Sequence, residues 1–212
     1  YDNDIIYEYN VSSAWDITTI SHSSSFNVEG SRPIDLAWDS NGNSIYCSFY
    51  DTTYTYQYNT YIPYDISNLK STLNFYPYPS INKTMLPNHI LHHHVDNKLY
   101  ILDVLADNKG CLHYIRTKKD QYEGDIDDGS TYNALDFDYD EWPVAIESYH
   151  EDLVIGLIKG TSINTVQSPA KIAFWDTVSE SFITTTSVEL ADPLITALKN
   201  VNGTVYVFSG FA

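Results

Sequence analysis

Apolar and polar residues alternate in short runs along the chain, and these runs recur at a nearly constant interval. Four segments begin with a proline, continue as an alternating run, turn, and end in a second run that contains an apolar–aromatic or apolar pair. The four prolines are Pro33, Pro87, Pro143 and Pro193, and the second members of the four pairs are Tyr46, Tyr100, Val154 and Tyr206. The pairs are therefore 54, 54 and 52 residues apart. Period-2 alternation on both sides of a short polar turn predicts a β-hairpin in each segment.

Two more β-rich runs follow each hairpin, so each interval contains four predicted strands. The third run lies at 53–58, 111–115 and 171–175, and a fourth lies at 72–76 or 181–184. Four short strands in about 53 residues are typical of a β-propeller blade. The predicted fold class is therefore all-β, a propeller of four repeats in a single domain at 1–212. The predicted repeats are 33–86, 87–142, 143–192, and 1–32 together with 193–212.

The two ends of the chain contain patterns that complement each other. Residues 5–10 resemble a third strand, and residues 205–208 resemble a second strand. Tyr7-Glu8-Tyr9-Asn10 recurs 49 positions later as Tyr56-Gln57-Tyr58-Asn59, and Trp15-Asp16-Ile17 recurs at the same offset as Tyr64-Asp65-Ile66. We expect residues 5–9 to pair beside residues 205–208 and close the ring, which removes an exposed sheet edge. The alternative is that the chain is a slice of a longer propeller.

The inward positions of the hairpins predict the core. If the repeat is correct, the four prolines occupy equivalent positions and the alternate hairpin residues pack between blades. The predicted core includes Leu36, Trp38, Ile90, Ile146 and Leu198.

The charge of the chain excludes several classes of partner. Asp and Glu number 28 against 11 Lys and Arg, which gives a net charge of −17. Nucleic acids and anionic lipid surfaces require a basic footprint, so neither is a predicted partner. No apolar run reaches 18 residues, so no membrane insertion is predicted. The 19 tyrosines and 43% hydrophobic residues indicate a folded domain rather than an acidic tail.

Two stretches resemble known propeller repeats. Residues 33–60, with Ala37-Trp38-Asp39-Ser40-Asn41-Gly42 at their centre, resemble the lactonase/YVTN-type repeat. The Tyr-rich run at 7–17, which leads into Trp-Asp-Ile, is similar to repeats of phage and environmental surface proteins. The three Trp-Asp dipeptides do not share one register, which argues against a WD-repeat assignment. These resemblances imply a binding or structural role on an extracellular or virion surface.

Histidines form one candidate metal site. In a strand, His92 and His94 face the same side, and two imidazoles at that spacing can bind Zn or Ni. The repeat aligns His92 with Trp38 and Leu198 at an inward position and places His93 outward. A structural role is the favoured interpretation, because no Cys or carboxylate at ligand spacing accompanies these histidines.

Carboxylates form a second candidate metal site. Asp125, Asp127 and Asp128 follow part of a calcium-loop pattern, although the distal bidentate Glu is absent. A solvated acidic loop is the favoured interpretation, so no cofactor is predicted, and a bound calcium ion is the alternative. Residues 117–141 form the longest insertion in the repeat, and functional loops are often such insertions.

Little in the sequence points to catalysis. No nucleophile elbow, Gly-rich phosphate loop or distinct carboxylate pair is present, so no catalytic residue is predicted. Cys47 and Cys111 lie on strands of adjacent repeats and could form a disulfide or remain buried thiols. An alternative function is a metal-dependent propeller hydrolase of lactonase type, and metal analysis of the purified protein would distinguish it.

The predicted function is a non-enzymatic surface protein that binds through loop aromatics. Loops carry recognition in a propeller because the strands are committed to packing. The predicted ligand-binding residues are Tyr61, Tyr78, Tyr122 and Tyr132. Such rings stack on sugar faces while carboxylates bind the hydroxyl groups, so a glycan is one predicted partner. A neighbouring protein in an assembly is the other, because aromatic patches also mark interfaces.

Overall fold

The structure is a computed structural model in which every regular element of the described residues, except one short helix, is a β-strand. It describes residues 4–28, 32–49, 55–67, 69–75, 85–105, 110–116, 133–136, 141–160, 166–183, 188–190 and 194–209. A 3-10 helix at Ile17–Thr19 lies between the first two strands. The strands are β1 (Ile5–Val11), β2 (Ile20–Asn27), β3 (Pro33–Trp38), β4 (Ser44–Phe49), β5 (Thr55–Asn59), β6 (Lys70–Phe75), β7 (Met85–His93), β8 (Lys98–Leu105), β9 (Gly110–Arg116), β10 (Asn133–Asp136), β11 (Glu141–Tyr149), β12 (Asp152–Gly160), β13 (Val166–Asp176), β14 (Ser181–Phe182), β15 (Val188–Glu189), β16 (Ile195–Val201) and β17 (Thr204–Ser209).

These strands form five antiparallel sheets in chain order. The N-terminal hairpin is β1–β2 and the C-terminal hairpin is β16–β17. Between them lie three meander sheets: the first blade (β3–β6), the second blade (β7–β10) and the third blade (β11–β15). In the third blade, β14 and β15 both pair with β13 and together form the fourth strand. The predicted four-strand unit is confirmed three times.

The prolines mark a β-bulge at the start of the first strand of each blade. The register shifts just after Pro33, Pro87 and Pro143, and each proline lies opposite the residue three positions beyond the second member of its pair. A bulge tolerates proline because one residue there is left out of the hydrogen-bond ladder. The equivalence predicted for these three prolines is confirmed.

The fourth equivalence is wrong by two residues. The bulge of the C-terminal hairpin follows Ile195, which lies opposite Ser209, and Pro193 is outside the described residues. The third and fourth hairpins turn in two residues, at 150–151 and 202–203, whereas the second needs four, at 94–97. The shorter turn places the bulge two positions closer in sequence to the apolar pair of the second strand. In the third hairpin the bulge residue is still a proline, Pro143, whereas in the fourth it is Ile195.

The core lies between successive sheets. Four clusters of buried side chains fill the interfaces, each formed mainly by two neighbouring sheets. The largest joins Tyr100, Leu112 and Tyr114 of the second blade to Leu153 and Trp175 of the third. Burial of this apolar surface is the main force that holds the sheets together.

Two predictions about the core and the ring are wrong. Ile90, Ile146 and Leu198 are buried and Trp38 packs against the core as expected, but Leu36 is exposed. Among the described residues, β1 pairs only with β2 and β17 only with β16, so the predicted pairing of residues 5–9 with 205–208 is not formed. Leu36 is exposed for the same reason, because the C-terminal hairpin would lie over it in the predicted ring.

Candidate functional site

The turns between strands 1 and 2 and between strands 3 and 4 of each blade lie at one end of the sheets, since a meander reverses direction at every turn. We call this end the turn face. The ends of neighbouring blades line up: Lys98 Nζ, which begins the second strand of the second blade, lies 3.2 Å from Glu180 Oε1 in a turn of the third blade. The turn face comprises residues 12–19, 39–43, 60–67, 94–97, 150–151, 177–180 and 202–203.

One turn geometry occurs twice on this face. Trp15 and Tyr64 occupy equivalent positions and both have positive φ, 67° and 62°. The N–H of the next residue, Asp16 or Asp65, donates to the carbonyl three residues earlier at 3.1 Å in both turns. Each aspartate then accepts a hydrogen bond from the backbone two residues later. Side-chain and backbone hydrogen bonds from that later residue lower the pKa of both carboxyl groups.

The two aromatic residues of these turns are covered to different extents, and Tyr64 keeps 53% of its surface exposed. The Tyr64 ring covers Gly42, where an added Cβ would lie 2.4 Å from the ring, and its hydroxyl donates to the Ser40 carbonyl at 2.9 Å. The ring centroid is also 5.5 Å from that of Trp38. Trp15 is 97% exposed. The same turn is therefore packed onto a hairpin in the first blade and uncovered in the N-terminal hairpin.

Equivalent threonines join the two kinds of turn. Thr60 Oγ1 donates to the Gly42 carbonyl at 2.9 Å in the first blade. Thr177 Oγ1 donates to the Glu151 carbonyl at 2.8 Å in the third. Sequence reasoning missed these residues, although both come directly after a third strand and could have been found by aligning those strands.

Tyr61 lies on the turn face as predicted, beside a second exposed apolar residue. Tyr61 and Ile62 are 78% and 60% exposed. The equivalent positions in the N-terminal hairpin are Ser12 and Ser13, where the same turn forms. The fold of the turn therefore does not require a tyrosine or an isoleucine.

Most of the other predicted site residues lie outside the described part of the chain. These are Tyr78, Tyr122, Tyr132, Asp125, Asp127 and Asp128. The connection that contains five of them leaves β9 after Arg116 and enters β10 at Asn133. Both of these residues lie at the turn-face end of the second blade.

The histidines are divided between the core and the surface. The His92 ring is buried and stacks on Tyr46 of the first blade, with centroids 6.0 Å apart. His94 is exposed in a turn, because β7 ends at His93, so strand alternation does not bring His92 and His94 to one side. His93 was predicted to face outward, but it is buried, with Nδ1 2.8 Å from Asp96 Oδ1. Within the described ranges, no three His, Cys, Asp or Glu side chains are grouped to hold a metal ion.

A buried ionic cluster joins the second and third blades. Lys98 Nζ lies 3.3 Å from Asp96 Oδ2 and 3.2 Å from Glu180 Oε1. Burial raises the pKa of Asp96. Hydrogen bonds from His93 and Tyr100 and the charge of Lys98 lower that pKa by more than burial raises it, so the net shift is downward. Lys98 is almost fully buried, so its charge lies inside the interface between the two blades and depends on the two carboxylates for compensation.

Both cysteines are buried free thiols, so the disulfide that the sequence left open is not formed. Cys111 Sγ contacts His113 Nε2, a pair that the i, i+2 spacing on one strand could have revealed. Burial lowers the pKa of His113 to about 3 and raises the pKa of Cys47 to about 12. These groups are therefore neutral near pH 7 and are not set up for nucleophilic chemistry.

An open groove separates the N-terminal hairpin from the first blade. Its volume is about 380 Å³. Its lining is mainly apolar and consists of Ile5, Ile6, Tyr7, Pro33, Ile34, Asp35, Leu36 and Cys47.

No helix among the described residues is long and apolar enough to cross a membrane.

Comparison with known proteins identifies the fold. No protein-family model and no curated protein matches the chain. Among solved structures, the chain is similar to the β-propeller domain of Myceliophteria thermophila Cps50 (Swd1), with a TM-score of 0.56 and 12% sequence identity. The match covers 96% of this chain and 58% of that chain, so this chain spans little more than half of its length. At this identity the similarity concerns the fold alone. The meander sheets, their equivalent bulges and this match show that the protein has a β-propeller fold.

Proposed function

We propose that the protein is a non-enzymatic binding module of an extracellular or virion surface, and that the turn face is its recognition surface. The observation that supports this is the exposed pair Tyr61 and Ile62. Two large apolar side chains at the tip of a turn keep most of their surface in water and bury little of it inside the molecule. The fold does not need them, since Ser12 and Ser13 stand in the equivalent turn. A role in binding explains why they are present.

The backbone that presents this pair is held in place before any ligand arrives. The Thr60 N–H donates to the Asn43 carbonyl and the Tyr64 N–H donates to the Gly42 carbonyl, both at 2.8 Å. A fixed turn loses little conformational entropy on binding, so more of the contact energy contributes to affinity. Tyrosine adds contact area and a hydroxyl at low entropic cost.

A glycan is the ligand class that we favour. A sugar ring presents a C–H face that stacks on tyrosine, and its hydroxyl groups are hydrogen-bond donors to carboxylates. Asp65 lies three residues after Ile62, and the chain has an excess of 17 negative charges. Such a surface repels nucleic acids and anionic lipids but accepts a neutral saccharide. A neighbouring protein subunit is the competing ligand.

A pair of serine substitutions tests this proposal. Tyr61→Ser with Ile62→Ser copies the N-terminal turn, so we expect unchanged thermal stability and a loss of binding to an immobilised panel of neutral oligosaccharides. The control is Val178→Ser, which changes an exposed residue in a turn of the third blade. Equal glycan binding by the double variant and the unsubstituted protein would refute the site. If no saccharide binds and the double variant loses self-association instead, the ligand is a neighbouring subunit.

A further inference from the structure

The two terminal hairpins correspond to different halves of a blade. The N-terminal hairpin matches strands 3 and 4, because its register shift at Glu8/Tyr9 is equivalent to the shift at Gln57/Tyr58. The C-terminal hairpin matches strands 1 and 2, because its shift after Ile195 is equivalent to the one after Pro33. In the described structure, β1 and β17 each pair on one side only. Each hairpin therefore has an unpaired strand edge: β17 corresponds to strand 2 and β1 to strand 3, which pair with each other in a complete blade.

No sheet of the described residues covers the outer face of the C-terminal hairpin. Tyr206 is 53% exposed, whereas its equivalents Tyr46, Tyr100 and Val154 are fully buried. In the first blade that position faces the next sheet, where Tyr46 packs with Ile90 in one core cluster. Tyr206 thus occupies a core position of the repeat that no sheet in the described part of the chain covers.

The first blade is only partly covered on its other side, where the N-terminal hairpin packs against it through Ile6. Leu36 is 43% exposed, whereas its equivalents Ile90 and Ile146 are 4% exposed and Leu198 is 7% exposed. Leu36 lines the apolar groove beside the N-terminal hairpin. Each of the three buried equivalents is covered by the first two strands of the preceding blade.

Trp15 provides a third, independent indication. Its equivalent, Tyr64, lies over the turn between strands 1 and 2 of its own blade and contacts Gly42. The N-terminal hairpin has no such turn beneath Trp15. The C-terminal hairpin has that turn at Asn202 and Gly203, with positive φ values of 52° and 81°.

We propose that the C-terminal hairpin of one copy completes the sheet begun by the N-terminal hairpin of a second copy. The register follows from β4–β5, where Ile45 pairs with Tyr58 and Tyr46 with Gln57. The pairs in the composite sheet are Thr204 with Asn10, Val205 with Tyr9, Tyr206 with Glu8 and Val207 with Tyr7. The Tyr206 side chain then enters the groove against Leu36, and Trp15 covers the turn at Gly203.

A second copy is the occupant because every copy carries both halves, each with the edge and the side chains that the other half needs. The contact is head to tail, so copies close into a ring or continue as a chain. Two molecules that each have a net charge of −17 repel each other in dilute buffer. Since this repulsion is screened by salt while apolar burial is not, association should strengthen as ionic strength rises.

Sedimentation equilibrium of the full chain tests this contact. We expect dimers or larger species at ~100 µM protein in ~0.5 M NaCl, and at least about tenfold weaker association in Trp15→Ser and Tyr206→Ser. Both residues are exposed in the single copy, so each variant should keep its fold. Val178→Ser, which changes an exposed residue in a turn of the third blade, is the control and should associate normally. A monomer under these conditions, or equal association by all three variants, would overturn the proposal.

Cysteine pairing tests the register. Ser44 Oγ and Asn59 Oδ1 are 3.0 Å apart, so side chains at this pair touch. Mixing Asn10→Cys protein with Thr204→Cys protein under mild oxidation should give a disulfide-linked pair of copies, whereas Asn10→Cys with Ser209→Cys should not. Cross-linking with equal yield in both mixtures would show that the strands do not pair in this register and would overturn it.

Discussion

His113 should make the stability of the protein fall as the medium becomes mildly acidic. Its side chain is 1% exposed, and burial lowers its pKa to about 3, whereas a histidine of the unfolded chain titrates near 6.5. The folded pKa lies below the unfolded one, so this stabilisation is fully present above pH 6.5 and is lost as the pH falls toward 3. Each pH unit in that window corresponds to about 1.4 kcal/mol. From about pH 7 to pH 5, the expected loss is about 2 kcal/mol.

Urea unfolding at these two pH values measures the loss, with the fluorescence of the buried Trp142 and Trp175 as the signal. The test compares slopes, because other groups also titrate. His113→Leu should remove about 2 kcal/mol of the pH dependence, whatever its effect on stability near pH 7. The control is His94→Gln, which changes an exposed histidine and should keep the dependence of the unsubstituted protein. Equal slopes in His113→Leu and the unsubstituted protein would refute the reasoning.

Two further predictions concern stability. Gly42→Ala places a methyl group 2.4 Å from the Tyr64 ring at positive φ and should cost about 2–3 kcal/mol in urea unfolding, whereas Gly203→Ala, with no atom nearer than 3.7 Å, should cost only about 1 kcal/mol. Similar losses for both would contradict the packing of that ring. Lys98→Met leaves two carboxylates without their cation and should lower the free energy of unfolding by about 3 kcal/mol or more. A loss below about 1 kcal/mol would mean that the cluster is solvated.

The blade could be predicted because its signals are local. The alternation of apolar residues, the short polar turns and the recurring spacing from the proline to the apolar pair all depend only on neighbours in the sequence. The offset failed at Pro193, where Ile195 occupies the bulge, because turn length changes the count and a bulge does not require proline. His93 was placed outward by alternation alone, but Asp96 in the following turn supplies a buried partner.

Burial of Leu36 could not be predicted in the same way. Its pattern is that of Ile90 and Ile146, and the difference arises only from which sheet stands beside the first blade. The sequence around Leu36 does not indicate which sheet lies beside the first blade. For the candidate site, the turn position of Tyr61 was predictable, whereas its companion Ile62 became visible only through the equivalent turn with Ser12 and Ser13.

The stacking of sheets in chain order has a consequence for how the molecule unfolds. Each blade packs mainly against the sheet before it and the sheet after it, so stability is a sum of intrinsic and nearest-neighbour terms, as in a linear array. An end sheet has one such neighbour and the second blade has two. Opening should therefore start at the terminal hairpins and move inward, with amide hydrogens of β8 and β12 exchanging last. Closure of associated copies into a ring would remove this gradient, because every sheet would then have two neighbours.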